Sequence, residues 1–227
     1  MSDTQPTSTF AAFWLYRATE ARFELEPEDA GAIPIETATI LDDHAKNVTL
    51  RAAYSTIGFS AGADLILWVV SDDMRNVHAL AADLHSSAFS AFFDQVQVYA
   101  GAASASQYDP NHGPAFLRGL PPKNYLSVYP FMKTPDWYLL EFEERRRLMA
   151  EHGKMGHEFP SILTNTINSF GIADQEFVIA LEDDDPAELI KMVQRLRAAE
   201  VRKYTALDTP IFLGLKMPVE DAISAAL

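Results

Sequence analysis

Two stretches of this chain follow one plan. From Gly62 to Asp73 it reads G-A-D-L-I-L-W-V-V-S-D-D, and from Ala173 to Pro186 it reads A-D-Q-E-F-V-I-A-L-E-D-D-D-P. Each opens on a polar turn, runs into a short apolar strand, meets an acidic cluster and enters an amphipathic helix. In the second helix Leu189, Ile190, Val193 and Leu196 follow helical spacing. Asp185 suits the N-cap, Pro186 the first helical position, and Glu188 completes a capping-box pattern. In the first helix Met74, Val77, Leu80, Ala81 and Leu84 form the matching stripe, with Ser71 or Asp72 as cap.

The flanking segments extend the repeat. An opening strand (Phe10 to Ala18; Tyr125 to Phe131) precedes a helix (Ile35 to Arg51; Glu143 to Glu158) and a strand (Ala52 to Phe59; Ile162 to Phe170). Closing strands follow at Gln95 to Tyr99 and near Pro210 to Leu215. The order β-α-β-β-α-β therefore occurs twice, which predicts an α+β fold of duplicated ferredoxin-like units. Two such units side by side can close into a dimeric α+β barrel; two independent domains are the alternative. The expected division is residues 1–102, a connection at 103–123 and a second half at 124–227. The connection is rich in Gly, Ser and Pro and longer than a tight turn needs, so it reads as a wall or lid of a site. The first dozen residues and Pro218 to Leu227 read as loosely docked ends.

Composition narrows the function. A net charge of −14, with 18 Lys and Arg, supplies no basic stripe for nucleic acid. The absence of cysteine removes disulfides, zinc–thiolate sites and iron–sulfur clusters together. No apolar run approaches the roughly 20 residues of a membrane span, and no signal peptide is visible, so a cytoplasmic location is expected.

Chemistry-bearing residues concentrate between His112 and His152. Tyr129, Lys133, Trp137 and His152 surround one strand-to-helix connection, and His112 lies just upstream in N-H-G-P. Two imidazoles and a phenol without cysteine suit a porphyrin iron and its oxidant better than a hydrolytic site. Read one at a time, each has an ordinary explanation: a buried, hydrogen-bonded histidine, a core tyrosine, a packing tryptophan, a solvated lysine. His152 and His157, five apart, do not align as a two-histidine metal site. His44, His78 and His85 read as surface or helix-flank positions. The run Glu182 to Asp185 reads as carboxylates decorating a helix N-terminus. No P-loop, glycine-rich dinucleotide turn or nucleophile elbow is present.

Taken together, these pieces resemble the chlorite dismutase-like haem superfamily, and within it the coproheme decarboxylases of the actinobacterial type. The resemblance rests on Tyr129-Pro-Phe with Lys133, D-W-Y-L-L from Asp136, E-H-G at Glu151 to Gly153 and H-G-P-A-F-L from His112. N-T-x-x-S-F at Asn165 to Phe170 and D-x-E-F at Asp174 to Phe177 extend it. It implies that His152 ligates iron, that Tyr129 is the redox-active phenol, and that His112 is the base for hydrogen peroxide. Lys133 would hold a propionate, Trp137 would flank the porphyrin, and Thr164 or a neighbour would stand where chlorite-degrading members carry a distal arginine. Lys133 itself stands in place of an arginine expected in close actinobacterial relatives. The implied reaction is peroxide-dependent conversion of two propionates of iron-coproporphyrin III (coproheme) to vinyl groups, giving haem b. Coproheme is then substrate and redox centre at once.

The same resemblance implies a homopentamer and a transient contact with the coproporphyrin ferrochelatase. Two other functions remain compatible with these residues. One is a chlorite dismutase or haem peroxidase on the same scaffold; the other is a porphyrin-binding module without turnover.

Overall fold

A computed structural model of the chain describes residues 8–104, 107–108 and 113–227. The first stretch comprises β1 (Thr9–Ala18), α1 (Pro27–Asp43), β2 (Thr49–Ser55), β3 (Leu65–Ser71), α2 (Met74–Ser86), α3 (Phe89–Phe92) and β4 (Phe93–Ala103). The second comprises β5 (Tyr125–Lys133), α4 (Pro135–Leu139), α5 (Phe142–Gly156), β6 (Leu163–Asn168), β7 (Phe177–Asp183), α6 (Pro186–Leu196) and β8 (Thr205–Leu207). Finally β9 (Phe212–Met217) and α7 (Val219–Ala226) close the chain. The fold is α+β, and the duplicated order is present. Among the described residues no helix is long and apolar enough to cross a membrane.

Two compact units result, one from the chain up to Ala102 together with Phe212–Leu227, the other from Ala103–Ile211. This differs from a simple division into halves. The segment expected to close the second half, β9, pairs with β2 through Ala53↔Met217, Tyr54↔Lys216 and Ser55↔Leu215. The three-residue β8 takes the fourth-strand place in the second unit, pairing with β5 at Met132↔Leu207. Nor is the C-terminus loosely docked. In α7 Ala222 and Ile223 are fully buried, in one core with Trp14, Leu65, Leu67, Leu80, Leu84 and Phe89.

In the first unit the strand order is β4-β1-β3-β2-β9. Its first four strands have the order of a ferredoxin-like unit. Both β1 and β3 are buried almost throughout, which explains their continuous apolar runs rather than an alternating pattern. Helix α1 begins before Pro34, with Pro27 in its first turn, and ends earlier than the spacing suggested because β2 starts at Thr49. The cap of α2 is Asp73, whose carboxylate accepts from the Arg75 amide at 2.8 Å, rather than Ser71 or Asp72. His78 and His85 are exposed, and His44 pairs with Asp83 at 2.7 Å. Gly214 lets β9 lie close on β2: a Cβ added there would meet the Tyr54 Cβ at 2.7 Å.

In the second unit the order is β6-β7-β5-β8. Asp185 caps α6 as expected, accepting from the Ala187 amide at 2.8 Å, but Glu188 turns to Lys191 at 2.6 Å instead of back to the cap. The buried stripe of α6 runs through Leu189 and Met192, while Ile190 is 60% exposed.

The rest of the acidic run has a different use from a decorated helix end. Glu182 is fully buried and accepts from the Lys123 amide at 3.1 Å and from Asn165 Nδ2 at 3.0 Å. Asn165, also fully buried, accepts from the Phe116 amide through Oδ1 at 3.1 Å. Asp184 accepts from the Asn124 amide at 3.0 Å. The Lys123 ammonium lies 3.6 Å from Asp183 and 3.7 Å from Asp184. One buried network thus ties the end of the connecting segment to β6 and β7. A carboxylate held away from water is tolerable only when its oxygens are occupied in this way.

Two consequences are measurable. Gly214→Ala should lower stability by about 1–3 kcal/mol, because the added methyl overpacks β9 against β2; an unchanged urea midpoint would contradict that close approach. Asn165→Leu should lower stability by about 2–4 kcal/mol by stranding the Glu182 carboxylate and the Phe116 amide. It should also speed hydrogen exchange at the Phe116 and Lys123 amides, and unaltered exchange there would show that the network does not hold the segment.

Candidate functional site

Strand register sorts the second unit's side chains onto two faces. β5 and β7 pair antiparallel with Tyr129↔Ile179 and Ser127↔Leu181, and β6 pairs with β7 at Thr166↔Ile179 and Thr164↔Leu181. Side chains alternate along a strand, so Tyr129, Ile179, Thr166, Thr164, Leu181 and Ser127 share one face. The opposite face carries Leu126, Val128, Ile167, Val178 and Ala180, all fully buried. On the first face Tyr129, Thr164 and Ile179 are only half-buried. Tyr129 and Thr164, far apart in sequence, are thereby placed on one face, on the two strands that flank β7.

At the end of β5, Lys133 donates its amide to Glu176 Oε2 at 2.7 Å. Its half-buried ammonium lies 4.5 Å from the ring centroid of Trp137 and 5.1 Å from that of Phe131. Burial pushes its pKa down to about 8, helped by the Arg202 charge and opposed by the Glu176 carboxylate. Lys133 is therefore a desolvated amine against an indole face rather than a solvated charge. Glu176 also accepts from the Tyr138 hydroxyl at 2.5 Å. Burial and that carboxylate raise the Tyr138 pKa.

Trp137 is buried in α4, where Pro135 opens the helix. It packs with Leu148, Ala199 and Val201, and Met149, Met155 and Tyr204 lie against the group. Its ring is 5.7 Å from Tyr204 and edge-on to Tyr108 at 6.3 Å. His152 lies one turn beyond Leu148 on α5, so it shares the helix face of Leu148 and Met155. Its Nδ1 is shut off from solvent. His157, at the C-cap of α5, is exposed. His112 lies outside the described residues.

The structure adds a charged group that spacing did not reveal. Arg197 at the C-cap of α6 and Arg202 in the turn Glu200–Tyr204 both reach Asp208, just past β8. Arg202 Nη1 is 3.1 Å from Asp208 Oδ2, and Arg197 Nη1 contacts the same oxygen. All three act electrostatically on Tyr129. Burial pushes the phenol pKa up to about 12, Asp208 adds to the rise, and Arg197 and Arg202 oppose it. Glu151, beside His152, holds the same turn by accepting from the Glu200 amide at 3.1 Å. No motif marks Arg197, Arg202 or Asp208, since α6, the turn and β8 bring them together only in three dimensions.

Among the described residues no three His, Asp or Glu side chains cluster to hold a bare metal ion. A porphyrin iron needs no such cluster, because one axial imidazole suffices and the ring supplies the other donors. His152 could be that ligand. Lys133, Arg197 and Arg202 could receive carboxylates on the ring, and Trp137 offers an apolar wall. The donor set fits an anionic iron porphyrin.

Comparison with known proteins agrees. The sequence pattern described as chlorite dismutase matches residues 32–217. The chain is 32% identical over 199 residues to a coproheme decarboxylase of Mycolicibacterium smegmatis, covering 87% of this chain and 86% of that protein. It is 27% identical over 199 residues to a coproheme decarboxylase of Staphylococcus carnosus, covering 81% and 78%. Among solved structures, one described as a putative chlorite dismutase superposes with a TM-score of 0.84 at 28% identity, covering 97% of this chain and all of that one. A mutant chlorite dismutase of Candidatus Nitrospira defluvii superposes with a TM-score of 0.88 at 17% identity, covering 96% and 95%, a likeness of fold alone. By sequence pattern and by relatives along most of its length, the chain belongs to the chlorite dismutase family.

Proposed function

We propose that this protein converts two propionates of iron-coproporphyrin III to vinyl groups, with hydrogen peroxide as oxidant, and so makes haem b. The observation that carries this reading is Tyr129: a half-buried phenol on the open face of the sheet, with Arg197, Arg202 and Asp208 within electrostatic reach. The similarity to proteins named coproheme decarboxylase supports it.

Bound with peroxide, the iron porphyrin supplies the oxidising equivalents. His152 holds the iron. Tyr129, having given up its phenolic hydrogen, takes one from the β-carbon of a propionate placed beside it. The carbon radical left behind must lose one further electron, to the second oxidising equivalent of the same peroxide. The carboxylate then leaves as carbon dioxide while a vinyl group remains. Each round consumes one peroxide and one proton and releases two waters. His112 serves as the base that moves the peroxide proton. Lys133 and Arg202 hold substrate carboxylates, Lys133 as a point charge and Arg202 as a fork. Trp137 flanks the ring, and Thr164 lies on the same sheet face as Tyr129. A ring of five copies, and a brief contact with the ferrochelatase that makes coproheme, belong to the same proposal.

A chlorite dismutase would place an arginine on β6, where this strand reads Leu163-Thr164-Asn165-Thr166-Ile167-Asn168. That sequence favours the decarboxylase.

The test loads the protein with iron-coproporphyrin III, adds peroxide in steps and follows the porphyrin by mass spectrometry. Loss of two carboxyl groups through a monovinyl intermediate is expected; bleaching without mass change would defeat the proposal. Tyr129→Phe should bind coproheme yet form no vinyl groups, and normal haem b output would remove Tyr129 from the reaction. Lys133 gives a pH dependence with a definite sign. Below pH 8 its ammonium form prevails and attracts carboxylate; above it the amine is neutral. The affinity for coproporphyrin should therefore fall as pH rises through about 8, and Lys133→Met should abolish that break. A wild-type affinity flat from pH 7 to 9 would rule Lys133 out as an anchor.

A further inference from the structure

Asp208 does more than neutralise a surface arginine. Its Oδ2 alone meets two guanidinium groups, Arg202 Nη1 at 3.1 Å and Arg197 Nη1. The three residues arrive from the end of α6, the turn after it and the end of β8. Two guanidiniums converging on one point repel each other unless an anion lies between them. The Asp208 side chain is only 17% exposed, while those of Arg197 and Arg202 are 42% and 37% exposed, so the anion is the inner member of the group. Each guanidinium carries five N–H donors in a rigid fork, and Asp208 engages each through Nη1. The arginines can therefore face outward with donors to spare. Leu207, next to Asp208, pairs with Met132 of β5, three residues beyond Tyr129.

We propose that Asp208 is a positioning residue that holds Arg197 and Arg202 together as one fork for a substrate carboxylate beside Tyr129. The assignment rests on the decarboxylase reading and adds to it the device that arranges the cations. It also gives the group a net charge of one rather than two, so the phenol is not faced by two uncompensated cations.

Metal-free coproporphyrin III is the probe, since it carries the four carboxylates and needs neither His152 nor peroxide. Its binding is read by fluorescence. Asp208→Asn should weaken binding by about five- to tenfold, the scale of a half-exposed charge network. Asp208→Glu, which keeps the carboxylate, should recover most of the loss. Arg197→Gln should weaken binding similarly, and the Arg197→Gln/Asp208→Asn pair should lose no more than either alone, because both act through one fork. Tighter binding by Asp208→Asn would make Asp208 a mere counter-charge and overturn the inference, as would additive losses or an unchanged affinity.

A second readout concerns the phenol, followed by ultraviolet titration with the Tyr129→Phe variant as subtraction. In Asp208→Asn the Tyr129 pKa should drop below its value in the parent, because Arg197 and Arg202 then act unopposed. An unmoved phenol would mean the three charges do not bear on Tyr129. If the parent protein binds neither coproporphyrin III nor its iron complex, the decarboxylase reading itself fails; if the parent binds and the variants match it, only the role of Asp208 fails.

Discussion

Alternation of side chains across β5, β7 and β6 is the constraint on which the site depends. Antiparallel pairing sends Leu126, Val128, Val178, Ala180 and Ile167 to a sealed face. It necessarily sends Tyr129, Ile179, Thr164 and Thr166 to the other. A shift of one residue in β5 would bury the phenol and expose Val128 and Leu126, so the hydrophobic pattern that stabilises the sheet also aims Tyr129. The buried Asn165–Glu182 network guards that register from the sealed side. It fastens the end of the connecting segment to the same strands.

Electrostatics in this region run against the chain as a whole. The protein carries a net charge of −14. Yet Lys133, Arg197 and Arg202 all bear on the sheet end where Tyr129 lies. On helix flanks other cations are taken up by acids, as in Glu143–Arg146, Glu144–Arg147 and Glu188–Lys191, where exposed pairs contribute little to stability. A local cation cluster on an acidic protein suits a small polyanionic ligand. Partial burial strengthens the contact that Lys133 can make there, while Arg197 and Arg202 stay in reach of solvent.

Several features were legible in the residues. The repeat around Gly62 and Ala173, the Asp185 cap and the apolar runs of β1 and β3 follow from local propensity and period alone. Other features were not. Asp73 rather than Ser71 or Asp72 caps α2, since the helix start depends on where β3 ends. The acidic run that ends β7 looked like helix capping, and Asp185 serves that purpose with its own amide held by Asp183; Glu182 and Asp184 hold a distant backbone. The C-terminal segment looked loose because its short apolar stretch has no partner nearby in sequence. Its partner is the core around Trp14 and Leu67.

By itself, then, the sequence determined the order of elements, the membership of Tyr129, Lys133, Trp137 and His152 in one strand-to-helix region, and the family those motifs resemble. These are matters of local pattern and chain order. Tertiary structure alone decided that β9 and α7 return to the first unit, that Tyr129 and Thr164 share a face, and that Arg197, Arg202 and Asp208 gather near the phenol. The reason is physical. Register and packing join residues far apart along the chain, and charges find partners by distance in space, which no periodicity along the chain records.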